Sequence, residues 1–251
     1  MSGHSKWSTI KRKKAREDVR RGKIFTKLIK EITIAAREGG GDENSNPRLR
    51  VAIAAAKAEN MPAANIERAL KRGTGELPGS TYEEYTYEGY GPGGAALLID
   101  VLTDNRNRTV AEIRHIMSKR GGNLGEPGCV SWMFDKKGFI VIPADSVEED
   151  EVLSVSLDFG ADDVKLEGES YEVITPQVDF EKIKKAFYER EIPVETAKIT
   201  MIPKNTVRVE GEDARRLLQL MDAIEDLDDV QNIFSNFDIR DEILETYNSG
   251  R

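Results

Sequence analysis

The residues best suited to chemistry gather near the start of the chain: His4, Lys6, Trp7, Lys11, Arg12, Lys13, Lys14 and Arg16, followed by Arg20, Arg21 and Lys23. Their chemistry is ionic rather than catalytic. A basic run of this density repels itself unless an anion neutralises it, and a phosphate backbone is the commonest such anion. Trp7 adds a ring that can stack on a base. From Met1 to Arg72 there are 18 Lys and Arg against 8 Asp and Glu, a net +10; the remainder carries 19 against 37, a net −18. The bland alternative, a solvated helical face, does not explain why the excess sits on one segment. These eleven positions are therefore the candidate nucleic-acid contacts.

A second candidate is Thr103-Asp104-Asn105-Arg106-Asn107-Arg108-Thr109, a polar loop leading into a helix. Arg106 and Arg108 together with free backbone N–H groups could hold a phosphate or contact a partner. The competing reading is equally open: Asn107 caps the helix and the arginines pair with nearby acids.

Catalytic and metal chemistry lack their residues. The only histidines are His4 and His115, with no CxxC or HExxH pattern, so neither a metal site nor a cofactor is expected. Gly89, Gly91, Gly93 and Gly94 precede a strand rather than a helix and read as a tight turn, not a phosphate loop. Cys129, the single cysteine, reads as a small buried thiol rather than a nucleophile. Glu148, Glu149, Asp150 and Glu151 sit at a helix start, where negative charge suits the dipole.

The length of 251 residues suggests two or three domains, and the overall charge of −8 confines phosphate binding to a local patch. No charged-then-apolar leader or long apolar run occurs, which predicts a soluble cytoplasmic protein without membrane contact. Residues 6–20 hold helix formers but almost no apolar stripe, so a mobile basic arm is expected. Helices follow over 23–38, from Asn46-Pro47 with Leu49, Ala52, Ile53 and Ala56 on one face, and from Pro62 to Gly73. The Gly/Pro-rich stretch 73–80 marks a boundary about which the flanking segments are expected to move.

Beyond it, strands are predicted at 82–90, 95–102 and 130–134, with a helix from Val110. Residues 138–203 read strand, helix, strand, strand, helix, strand, the order of a ferredoxin-like unit. Residues 206–239 supply a strand, an amphipathic helix and a strand, too few for a domain of their own. The expected fold is α+β and multidomain: a basic arm and helical bundle over 1–75, a middle α+β domain from 81–135 plus 205–245, and a ferredoxin-like domain over 136–204 inserted in it. Three domains in a row is the alternative.

The strings GHSKW at 3–7, RGKIFTKLIKEI at 21–32, NPRLR at 46–50, NIERALKRG at 65–73, YEGYGPGG at 87–94, TDNRNRT at 103–109 and GGNLG at 121–125 resemble the YebC family. Cys129 stands where serine is expected. The resemblance spans nearly the whole chain and implies a helical N-terminal domain and two α+β domains. Bacterial members are described as probable transcriptional regulators that bind DNA. Others, with a mitochondrial translational activator of cytochrome oxidase subunit I, act at the ribosome and relieve stalling on proline-rich chains. The resemblance therefore implies a non-enzymatic regulator of gene expression whose partner is DNA or ribosomal RNA, with the ribosome as a further partner; a monomer is expected. The alternative from another class is an enzyme with an unrecognised site between the α+β domains.

Overall fold

The structure, a computed structural model, describes residues 18–249 and the side chains of 21–247. It divides into two compact units: residues 132–206, and a second made of the described residues up to 131 together with 207–249.

Three helices open the second unit: α1 (Asp18–Gly39), α2 (Pro47–Ala58) and α3 (Ala63–Gly73). Helix α2 starts where it does because the Asn46 side chain accepts the Leu49 N–H at 3.0 Å and Pro47 needs no partner for an N–H it lacks. Its face of Leu49, Ala52, Ile53 and Ala56 packs with Ile32, Ala35 and Ala36 of α1 and Ala69 of α3. At the crossing of α3 and α1 a Cβ on Gly73 would stand 2.5 Å from the Thr33 carbonyl oxygen, so only glycine permits this approach.

The helices lead into a sheet of order β3-β1-β2-β9, built from β1 (Glu83–Tyr90), β2 (Ala96–Thr103), β3 (Asn123–Leu124) and β9 (Val230–Ser235). Strand β2 lies antiparallel to both β1 and β9, with Ile99 opposite Tyr87 on one side and Ile233 on the other. Ile99 and Val101 share a core with Ile113 and Met117 of α4 (Arg106–Lys119) and Leu217, Met221 and Ile224 of α7 (Gly211–Glu225). Residues 207–249 thus return to a sheet begun before residue 132, and the other unit is an insertion in it.

That inserted unit contains β4 (Phe134–Pro143), α5 (Glu149–Phe159), β5 (Asp163–Glu167), β6 (Ser170–Pro176), α6 (Phe180–Glu189) and β7 (Thr196–Pro203). Its sheet order, β5-β6-β4-β7 with antiparallel neighbours, is that of the ferredoxin-like fold. Ile140, Ile142 and Val173 on one sheet face pack with Val152 and Val155 of α5 and Ile183 and Phe187 of α6.

Several expectations need correction. The polar stretch 103–109 is not a loop: α4 already begins at Arg106, because Asn105 rather than Asn107 caps it, accepting the Arg108 N–H at 3.1 Å. The strand expected at 130–134 is instead a 3₁₀ turn, Ser131–Met133, while the first strand of residues 138–203 is present but begins earlier, β4 running continuously from Phe134 to Pro143. Strand β4 runs through Gly138, where a Cβ would collide with Thr175 Oγ1 and come within 2.5 Å of the Phe180 ring. The final strand is split at Asn236, whose side-chain oxygen accepts the Ala96 N–H and whose carbonyl accepts the Val207 N–H, each at 2.8 Å. β10 (Phe237–Asp238) therefore leaves the sheet and pairs in parallel with β8 (Val207–Arg208). A closing helix, α8 (Asp241–Ser249), was not expected.

Contacts bridge the helices and the sheet on either side of the stretch 73–80. Arg37 donates to the Tyr82 carbonyl, and Arg48, bonded to Glu31 at 2.7 Å and Glu38 at 2.8 Å, also reaches Glu84 of β1. These contacts tie α1 and α2 to the first strand of the sheet.

Candidate nucleic-acid interface

Positions His4 to Arg16 lie outside the described residues, and of Arg20 only the helical backbone is described. Arg21 is exposed on the first turns of α1. The Lys23 ammonium lies 3.1 Å from the Asp226 carboxylate, a pair exposed to solvent on both sides. Lys23 is one of three lysines at i, i+4 and i+7 that occupy one side of α1. Lys27 donates to the Glu225 carbonyl at 2.7 Å, and Lys30 donates to the Asp228 carbonyl at 2.9 Å and to Asp229 Oδ1 at 2.5 Å. The carbonyls at the end of α7 carry the negative end of its dipole, and α7 has no basic residue in its last turn. Helix α1 supplies the missing cations.

Asp229 is the centre of this arrangement. Its Oδ2 accepts from Thr109 at 2.6 Å, Arg108 at 2.8 Å and Thr103 at 3.1 Å, while Lys30 occupies Oδ1. The side chains of Asp229 and Lys30 are each only 8% exposed. Burial alone would raise the carboxyl pKa, but the donors Arg108, Lys30 and Thr109 outweigh it and hold the group down at about 2. Arg108, which also pairs with Asp104 at 3.0 Å, is thus committed to acids, as the competing reading of that segment had it. Arg106 behaves differently: it is exposed, with its guanidinium 4.8 Å from the centre of the Tyr85 ring. The structure therefore does not bring Arg106 and Arg108 together as a pair for one phosphate.

The sequence reading missed Asp229 and also Glu88. The Glu88 carboxylate is buried and accepts the backbone N–H groups of Gly128 at 2.8 Å, Val130 at 2.7 Å and Ser131 at 2.8 Å. Burial pushes its pKa up, and the three amides more than reverse that, leaving it below the ordinary value. It fixes the segment leading to residue 132. Burial and the nearby Glu88 push the Cys129 thiol up, away from the thiolate a nucleophile needs. Among the described residues no group of three or more His, Cys, Asp or Glu is placed to hold a metal ion, and no helix is long and apolar enough to cross a membrane.

Sequence models of the TACO1/YebC N-terminal domain and of its second and third domain match residues 5–76 and 82–237. The chain belongs to the TACO1/YebC family. A relative in Syntrophobacter fumaroxidans is 63% identical over 246 residues, covering 98% of this chain and 99% of its own. One in Natranaerobius thermophilus is 55% identical, covering 98% and 100%. Both carry the name probable transcriptional regulatory protein. Among solved structures, a conserved hypothetical protein of Aquifex aeolicus matches with a TM-score of 0.80 at 47% identity, over 90% of this chain and 94% of that one.

Within this family fold the two arginines should separate in experiment. Arg108→Ala removes a donor from buried Asp229 and is expected to cost about 1 kcal/mol, discounted because the arginine is half exposed. Arg106→Ala removes one exposed cation–π contact and should cost about 0.5 kcal/mol, half the Arg108 effect. Thermal melting of both variants beside nucleic-acid binding checks this: a binding loss is expected for Arg106→Ala at nearly unchanged melting temperature, and a lower melting temperature for Arg108→Ala.

Proposed function

We propose that this protein is a cytoplasmic, monomeric, non-enzymatic regulator of gene expression that acts by binding nucleic acid through its N-terminal basic segment. The observation carrying this reading is the segregation of charge: net +10 in the first 72 residues of a chain whose net charge is −8. An acidic body with a basic segment binds phosphate locally and avoids indiscriminate coating of the polymer. The naming of the relatives as probable transcriptional regulatory proteins supports a regulatory role.

Lys6, Lys11, Arg12, Lys13, Lys14 and Arg16 supply phosphate contacts, and Trp7 supplies a stacking surface. Such contacts serve DNA and ribosomal RNA alike, so affinity does not distinguish transcription from translation as the regulated step. Crosslinking in cells followed by sequencing of the recovered nucleic acid does. Recovery of promoter DNA is the outcome for a transcriptional regulator; ribosomal RNA without promoter DNA is the outcome for a translation factor at the ribosome. Recovery of neither would overturn the nucleic-acid reading.

A further inference from the structure

Between residues 73 and 131 the chain carries five Lys and Arg against eight Asp and Glu, and all five cations lie within residues 106–120, on or at the end of α4. Helix α4 cannot roll, because Thr109, Ile113 and Met117 are fully buried on its inner side. That fixes Asn107, Ala111, Arg114, His115, Ser118 and Lys119 on its exposed side. Arg114, Lys119 and Arg120 form no ion pair among the described residues; exposed Arg50, Arg68 and Lys136 share that, so what distinguishes the α4 cations is that they sit together on one packed helix. Glu112 is the only carboxylate on the helix. Arg114 and Lys119 are thus held on a packed helix without a counter-charge among the described residues.

We infer that the exposed side of α4 is a second nucleic-acid contact, in which Arg114 and Lys119 bind the phosphate backbone independently of the N-terminal arm. The helix spans about 20 Å at 1.5 Å per residue, enough to lie across several successive phosphates of a duplex. Ala111 and Ser118 are small and allow close approach between the charged side chains. A lipid surface fits less well, since interfacial helices bury large apolar residues and this face exposes none. The inference rests on the nucleic-acid reading above, but concerns a different surface.

The test measures binding of the full chain to a short synthetic duplex, as DNA and as RNA, across a salt series. Arg114→Ala with Lys119→Ala is expected to flatten the slope of log affinity against log salt on DNA by about 1.5 to 2 units, from roughly 0.9 per lost phosphate contact, with melting temperature unchanged. Neutralising Lys136 and Lys185, exposed on the inserted unit, should leave the slope alone. Arg114→Gln with Lys119→Gln, which preserves length and helix propensity, replaces the alanine pair if that pair melts early, and the same flattening is expected. A wild-type slope in the α4 variants, with binding intact, overturns this inference and leaves the arm as the sole contact. Failure of the unmutated chain to bind either duplex overturns the inference and the nucleic-acid reading together, as does binding to anionic vesicles in place of both duplexes.

Discussion

Deletion of residues 2–16 is expected to flatten the salt dependence of nucleic-acid binding by about 3 to 4 units of log affinity per log salt. The segment holds Lys6, Lys11, Arg12, Lys13, Lys14 and Arg16. If four of the six engage phosphates, each contributes roughly 0.9 on duplex DNA and about 0.7 on a single strand through counterion release. Stability should hardly change, since residues 6–20 offer no apolar stripe to bury.

Trp7→Ala should act by another route. Loss of base stacking costs roughly 1 to 3 kcal/mol of binding and removes no charge, so the slope should stay as it was. If Trp7 instead packs against the helical bundle, its replacement would lower the melting temperature and binding would fall through unfolding. Slope and melting temperature, measured for both variants, separate these accounts. An unchanged slope after the deletion would reduce the basic run to a solvated face.

Much of the architecture is legible in the sequence wherever local signals and packing agree. Asn46-Pro47 starts α2 because cap and proline are local effects, and the Leu49-Ala52-Ile53-Ala56 face follows from helical period alone. The strand and helix order of residues 134–203 likewise carries the ferredoxin-like topology. Errors occur where a distant residue decides a local outcome. The strand expected to open residues 138–203 begins earlier, at Phe134, and runs through Gly138, where Phe180, far along the chain, packs in the space the missing side chain leaves. Thr103–Thr109 looks like a loop because its residues are polar; Thr103 and Thr109 are nonetheless buried, since Asp229 lies between them and Lys30.

One signal of the Asp229 site was available. Glu225, Asp226, Asp228 and Asp229 crowd the C-terminal end of α7, where acidic charge opposes the helix dipole. An unfavourable local placement of this kind demands cations from elsewhere, and Lys23, Lys27 and Lys30 provide them. Lys23, one of the candidate nucleic-acid contacts by sequence position, is also one of these cations. Glu88 gave no comparable signal, because its three partners are backbone amides.

Asp229→Ala is expected to be the most destabilising single substitution proposed here. It leaves the Lys30 ammonium, 8% exposed, without its counter-charge, and takes a bonded oxygen from Thr103, Thr109 and Arg108. Removing one partner of a buried ion pair costs about 3 to 5 kcal/mol. At roughly 2 to 4 °C per kcal/mol for a chain of this size, melting should fall by about 6 to 20 °C. Asp229→Asn should show the pH dependence of the charge itself. The folded-state pKa of about 2 lies below the usual unfolded value near 3.9, so the stabilisation is present in full above that value and disappears as pH falls through about 2. Its size, from nearly two pKa units, is about 2.5 kcal/mol. Wild type and Asp229→Asn, unfolded in denaturant across this range, should therefore differ most above pH 4 and converge toward pH 2. A difference independent of pH would mean that shape, not charge, is what Asp229 contributes. Lys30→Met combined with Asp229→Ala supplies the complementary measurement, since it removes the stranded ammonium while keeping its apolar stem. That double variant should be more stable than Asp229→Ala alone. Equal stabilities would show that the Asp228 carbonyl and nearby solvent suffice for Lys30, and that the cost of losing Asp229 falls on Arg108 and the two threonines instead.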